Sequence, residues 1–235
     1  MILIKQVMRW LNYVLIFFFL STILATIAFK YMPVYYTPLM FMRCTEQVWN
    51  GEPMKLDHQW VPIGEISHNL TQAVVASEDN RFMEHNGFDT EEIAKAYLEK
   101  KRGGRERGAS TISQQTAKNV FLWPGHSWVR KGFEVYFTVL IEQIWGKERI
   151  MEVYLNSIEM GNGIYGAQAI ARHSFDKPAS QLTKREAALV AATLPAPLTR
   201  DSQNPTGKVV KRANDIRILM SKISPVPIGK GYRRD

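Results

Sequence analysis

"VVASEDNRFMEHNGF", residues 74–88, carries a helical apolar pattern straight into two adjacent acids. Just upstream, Ile66, Leu70, Ala73 and Val74 recur at three- and four-residue spacing, which predicts a helix with one buried stripe. The stripe meets Glu78 and Asp79. The chain then breaks into a polar turn that holds Arg81, Phe82 and His85 and closes on Asn86 and Gly87. A buried helix that ends on two carboxylates has two physical readings. Either the acids pair with Arg81 and His85 as a structural cap, or one of them is held partly desolvated to move a proton.

Working outward, helical patterns dominate. Asp89 and Thr90 offer an N-cap to "EEIAKAYLEKK", and Ser110 or Thr111 caps "TISQQTAKNV". Ser127 starts a long apolar segment to Trp145, ended by Gly146. "KERIMEVYLN" reads as a further helix. "TKREAALVAATL" carries a capping box, Thr183 with Glu186. In "KVVKRANDIRILMSKI", Val209, Ala213, Ile216 and Met220 share one face. Strand-type alternation is nearly absent, so the expectation is a mostly α body of about nine modest helices. Residues 31–60, with Pro33, Pro38 and Pro53, read as a linker and an extended entry.

Ahead of that linker, Trp10 to Phe29 hold no charge. At a rise of ~1.5 Å per residue this run reaches ~30 Å, the thickness of a bilayer core. A cleaved signal peptide competes, since Thr26 and Ala28 are small. Its apolar region usually spans only ~7–15 residues, so an uncleaved anchor is the expectation. Lys5 and Arg9 before the run favour a cytoplasmic N-terminus and an exported body. The net charge of +8 points to an anionic partner: nucleic acid, an anionic lipid surface, or a phosphate-bearing substrate. An anchored, exported body argues against nucleic acid. The single cysteine, Cys44, cannot form an internal disulfide.

Two motif matches are rejected. "GGRERGAS" has phosphate-loop spacing, but Ala109 stands where the lysine must be and no strand precedes it. The run is too rich in Gly and Arg to hold a fixed shape without a partner. Ser174 and Lys177 match S-x-x-K, yet no K-T-G follows. His58, His68, His85, His126 and His173 show no metal-ligand spacing, so no metal site is expected.

Two polar stretches remain. In "RGASTISQQTAKN", Thr111, Gln115, Lys118 and Asn119 fall along one helix face, with Ser110 at its N-terminus, where anions are favoured. A solvated polar face competes with a wall that hydrogen-bonds a sugar or phosphate. In "SWVRKGFEVYFTVLIEQIW", Arg130, Lys131 and Glu134 sit inside an apolar helix. An intrahelical ion pair competes with a functional use, because charges among aromatics are costly unless paired or used.

Taken together, "ASEDNRFMEHNG", "GASTISQQTAKN", "RKGFE", "KERIMEVYLN" and "EAALVAATLPAP" resemble the five ordered motifs of the peptidoglycan glycosyltransferase family. That family includes the N-terminal domains of class A penicillin-binding proteins and stand-alone monofunctional enzymes. The resemblance covers about residues 60–200 and, with no penicillin-binding domain in these residues, points to the monofunctional form without transpeptidase activity. "IARHSFDK" departs from the family's aromatic-Phe-Gly-Lys pattern.

The resemblance implies a mostly α, lysozyme-like, two-lobed glycosyltransferase domain at 61–225. Before it come a stub and transmembrane anchor at 1–30 and the linker at 31–60; a basic tail follows at 226–235. It implies polymerisation of lipid II, an undecaprenyl-pyrophosphate-linked disaccharide pentapeptide, with release of undecaprenyl pyrophosphate. Glu78 matches the general base and Glu134 the second acid, which positions groups or assists the leaving pyrophosphate. Ser110, Gln115, Lys118, Asn119, Arg130 and Lys131 match positions lining the donor and phosphate region. Asp79, Arg81, Phe82 and His85 support the acidic turn. No cofactor is required by the resemblance; a divalent cation such as Mg2+ at the pyrophosphate is compatible with it. The implied partners are lipid II, the growing lipid-linked glycan chain, the bilayer, and other cell-wall synthesis or division proteins. The implied location is the cytoplasmic membrane, with the body on its outer, periplasmic or extracellular side. A peptidoglycan hydrolase or lytic transglycosylase, and a non-catalytic glycan-binding scaffold, are the rival readings. The first explains Glu78 but not the cationic helix; the second tolerates loss of Glu78.

Overall fold

The computed structural model describes residues 2–104, 108–125 and 127–232. Residues 105–107 in the Gly/Arg run, His126, and the last three residues of the basic tail lie outside the described residues. Helix α1 (Ile2–Tyr31) is 30 residues long, apolar and mostly exposed, and has the length and composition to cross a membrane. Its second half packs on the body. Phe18 meets Phe133 and Tyr136 at ring distances of 5.7 and 5.8 Å, and the hydroxyls of Thr22 and Tyr136 are 2.8 Å apart. Trp145 Nε1 donates to Thr26 O at 2.7 Å, and the Arg149 guanidinium donates to Phe29 O at 2.7 Å and Met32 O at 2.5 Å.

The expected extended entry at 31–60 is corrected: α2 (Pro38–Trp49) occupies its middle. Pro38 is the physical reason. Proline in a segment of this kind suggests a linker, but at the first helical position its fixed φ favours a helix and its missing N–H costs nothing. Thr37 caps the helix by accepting from Met40 N. Strand β1 (Asp57–His58) then leads through a 3₁₀ turn at Ile63–Glu65 to α3 (His68–Glu78). The remaining helices are α4 (Thr90–Lys101), α5 (Ile112–Phe121), α6 (Trp128–Ile144), α7 (Lys147–Ser157), α8 (Gly166–Phe175), α9 (Lys184–Thr193) and α10 (Gly207–Met220). Strands β2 (Glu159–Gly161) and β3 (Ile164–Tyr165) precede α8, and a 3₁₀ turn at Ala179–Gln181 follows it. The sheet order is β1-β3-β2, with β1 parallel and β2 antiparallel to β3. These strands are too short to show the alternation that reveals a strand in sequence.

Helices α3, α9 and α10 pack as one group, and α5, α6 and α7 as another, with α1 against α6. Ile66, Leu70, Ala73 and Val74 are wholly buried, as their spacing predicts. Each such Leu or Val removes ~1.5–3 kcal/mol of apolar exposure from water. Ala187, Ala188, Ala191 and Ala192 are also wholly buried. Their small side chains let α9 approach α3 and α10 closely. Both arms of the capping box form at Thr183 and Glu186, and a second box, Thr111 with Gln114, starts α5. The rings of Phe121 and Phe137 stack at 4.4 Å and join α5 to α6. On α10, Val209, Ala213, Ile216 and Met220 are the buried residues, as the sequence indicates.

Helix α8 ends where the sequence departs from its family pattern. Its C-cap, Asp176, is left-handed at φ 52°, the one such non-glycine among the described residues. This is the place where the aromatic-Phe-Gly-Lys pattern has glycine, which adopts that conformation without strain.

Candidate functional site

Helix α3 delivers Glu78 as its last residue, and Asp79 leaves the helix at φ −162°. Asp79 turns inward. Its Oδ1 accepts from His85 Nε2 at 2.9 Å, and its Oδ2 accepts from the backbone N–H of Ile112, the first residue of α5, at 2.9 Å. A carboxylate is favoured there because the start of a helix presents unpaired N–H groups and the positive end of its dipole. The His85 ring is fixed from its other side: Nδ1 accepts from Gly87 N–H at 3.1 Å, so the neutral ring carries its proton on Nε2. Gly87 lies at φ 93°, and a Cβ there would sit 2.8 Å from Thr138 Cγ2, so only glycine fits. Thr111 donates to Gly87 O at 2.6 Å, which sews the turn to α5. Phe82 is wholly buried beneath the Lys147 ammonium, 4.6 Å from its ring centre. Arg81 latches the outer edge, paired with Glu84, Asp89 and Glu91. Hydrogen bonds donated to Glu84 and Glu91 hold its guanidinium pKa above the ordinary value.

Glu78 does not join that structural set. It faces a cleft of about 1050 Å³, which Ser110, Thr111 and Gln115 also line. Its Oε1 accepts from Ser77 Oγ at 3.1 Å and its Oε2 from Gln115 Nε2 at 3.3 Å. Behind Gln115, Tyr154 donates to Oε1 of the amide at 3.3 Å, which orients the amide nitrogen toward Glu78. Burial first, then the charges of Glu78 and Asp79, push the Tyr154 phenol well above its usual range, so it remains a donor.

The cations gather on α5 and α6. Arg130 Nη1 bonds Glu134 Oε2 at 3.0 Å, and Lys131 bonds the other carboxylate oxygen. The intrahelical ion pair read from the sequence is therefore present. Positive charge is nevertheless in surplus, because Lys118 feels Glu134, Arg130 and Lys131 together. Burial first lowers the Lys118 pKa; Glu134 opposes this, and Arg130 and Lys131 lower it further. Arg130 is nearly buried, and its Nε has no partner among the described residues. Glu134 is 3 % exposed. Of the expected site residues, Glu78, Ser110 and Gln115 line the cleft around Glu78. Lys118, Arg130, Lys131 and Glu134 form a separate charged group, and Asn119 is buried on α5 beside Lys118.

Sequence reading missed several cleft residues. Arg212 on α10 donates to Ser77 Oγ at 3.2 Å and stands 4.0 Å from Glu78 Oε1. Arg200 lines the cleft and donates to Ala192 O at 3.0 Å. Tyr154 is not a lining residue but lies wholly buried behind Gln115, and the sequence shows it only as a position within a helix. For Arg212 a faint signal existed, since it adjoins Ala213 at the edge of the buried face of α10. Among the described residues, no three His, Cys, Asp or Glu side chains gather as a metal site.

Comparison with known proteins places these features in a family. A family model described as Transglycosylase matches residues 46–221. A biosynthetic peptidoglycan transglycosylase of Bacteroides thetaiotaomicron is 57% identical over 224 residues, covering 95% of this chain and 90% of that protein. Proteins of the same description from Bdellovibrio bacteriovorus and Pseudomonas entomophila are each 45% identical. They cover 92% and 94% of this chain, and 86% and 94% of their own lengths. With a family model matched over residues 46–221 and relatives matched over nearly their whole length, the chain belongs to the transglycosylase family.

Proposed function

We propose that this protein, a peptidoglycan glycosyltransferase, polymerises lipid II with Glu78 as general base. The observation that carries the assignment is the division of labour around the cleft. One carboxylate, oriented by Gln115, faces open space, while a separate group holds three cations against the single acid Glu134. In the reaction, Glu78 takes the proton from the acceptor sugar's 4-hydroxyl as that oxygen attacks the donor's anomeric carbon. The bond from that carbon to pyrophosphate breaks, and its electron pair leaves with the phosphate oxygen. Lys118, Arg130 and Lys131 offset the charge that develops there. The unpartnered Arg130 Nε supports this reading, since a buried donor without a partner is costly unless a ligand supplies one. Glu134 holds Arg130 and Lys131 in register. A divalent cation such as Mg2+, if the reaction uses one, would add positive charge for the leaving pyrophosphate alongside Lys118, Arg130 and Lys131.

The anchor supports an N-terminus in the cytoplasm and a cleft on the outer face of the cytoplasmic membrane, where a lipid-linked donor would meet it. The test is incubation of the purified protein with labelled lipid II, with sizing of the products. Polymer from the parent protein, and a loss of ~10²–10⁴-fold in Glu78→Gln, is the expected result. Fragments released from purified peptidoglycan, with no polymer from lipid II, would replace this reading with the hydrolase.

A further inference from the structure

Helix α2 turns its apolar side outward. Phe41, Met42, Thr45, Val48 and Trp49 share one face, and its four apolar members are 62%, 37%, 64% and 92% exposed. The inward face carries Met40 and the polar Gln47, whose Oε1 accepts from Lys55 N at 2.8 Å. Arg43 and Glu46 flank the helix and pair with each other at 2.8 Å, and Arg43 reaches Glu159 at 3.4 Å. The preceding segment extends the patch: Tyr35 and Tyr36 are exposed, and the ring of Tyr36 lies 5.8 Å from that of Phe41. Single exposed apolar residues are ordinary, but a contiguous aromatic face on a helix marks a covered surface.

The position of α2 identifies what covers it. The end of α1 is fixed to the body through Trp145 and Arg149, so the membrane exit has a set place on the domain. Residues 32–37 join α1 to α2, a reach of at most about 20–25 Å even if fully extended. Val34 and Thr37 are buried, so the true span is shorter. Trp and Tyr are the residues that settle at the headgroup level. We propose that α2 lies in the bilayer interface of the leaflet where α1 emerges, with Phe41, Met42, Val48 and Trp49 inserted at the headgroup–acyl boundary. The inference rests on α1 being a membrane span. Because α2 packs on α5, the helix that carries Gln115 and Lys118, this contact sets the height of the cleft above the lipid.

The test uses the full chain with Cys44→Ser and one new cysteine at a time: Phe41→Cys, Trp49→Cys, Glu46→Cys as the flank, and Val14→Cys within α1. Each is labelled with an environment-sensitive fluorophore and reconstituted in phosphatidylethanolamine–phosphatidylglycerol vesicles. Quenching by nitroxide lipids is compared with quenching by iodide. The expected result is strong lipid quenching at positions 14, 41 and 49, with iodide quenching dominant at 46. Lipid quenching at 14 with iodide access at 41 and 49 overturns the α2 assignment and leaves the anchor standing. Protection of 41 and 49 from both quenchers also overturns it, in favour of a second copy of the chain on this face. Absence of lipid quenching at 14 removes the anchor and the proposal together.

Discussion

His85 donates from Nε2 to Asp79 Oδ1 at 2.9 Å, and this one bond separates the two adjacent acids into different tasks. Asp79 is committed on both oxygens, to His85 and to the start of α5. Asp79→Ala leaves the Ile112 N–H and the His85 N–H buried without a partner, at ~1–3 kcal/mol each. The expected loss is about 3 kcal/mol, a fall in Tm of roughly 6–12 °C for a domain of this size. Glu78→Gln should unfold within about 2 °C of the parent, because its partners Ser77 and Gln115 can still bond an amide. Thermal unfolding of both variants in detergent decides the matter; a larger loss in Glu78→Gln than in Asp79→Ala would reverse the division.

Lys118 links stability to activity with opposite signs. On the proposed reading, a cation at the departing pyrophosphate is worth ~2–4 kcal/mol of transition-state stabilisation, so Lys118→Ala should slow polymerisation roughly 30- to 1,000-fold. Turnover unchanged in a folded Lys118→Ala protein sinks the assignment.

The same burial lowers the Lys118 pKa below its unfolded value of 10.5. Between the folded value and 10.5 the unfolded chain binds more protons, so this group's contribution to stability rises with pH across that window. Below the window its charge is a constant cost. Lys118→Met should therefore melt no lower than the parent at pH 7, and any advantage should fade as pH approaches 10.5. Melting curves across that range would show it; a marked drop in Tm at pH 7 contradicts the burial argument.

Asp176 holds a left-handed backbone at the C-terminal end of α8, where a carboxylate also meets the negative end of the helix dipole. Asp176→Gly should raise stability by about 0.5–1 kcal/mol, after allowance for the entropy that glycine brings to the unfolded chain. The measurement is the urea midpoint at constant slope; a lower midpoint refutes the strain.

Topology has its own check. With Lys5 and Arg9 ahead of the apolar run, a reporter active only outside the cytoplasm and fused after Asp235 should work. Activity solely from a cytoplasmic reporter would invert the proposed orientation.

Periodic and capping signals carried most of the fold into view. The buried stripe of α3, the capping box of α9 and the face of α10 all rest on local chemistry that one stretch of chain declares by itself. The acidic turn was legible for the same reason: Asp79, His85 and Gly87 are within nine residues of one another. What stayed hidden depends on distant packing. Arg212 reaches Ser77 across 135 residues, and Tyr154 reaches Gln115 across 39, so neither could be read from its neighbours. Helix α2 was hidden differently. Its apolar face points out of the protein, so burial does not explain its pattern, and its first proline looks like a breaker.

The hydrogen bonds from Trp145 and Arg149 to the last carbonyls of α1 have a mechanical meaning. A tether that swivelled would let the domain roll over the bilayer and offer its cleft at any angle. A span bolted to α6 and α7 makes the membrane part of the enzyme's frame. On the proposed function, a lipid-linked sugar would then meet the cleft from one fixed side.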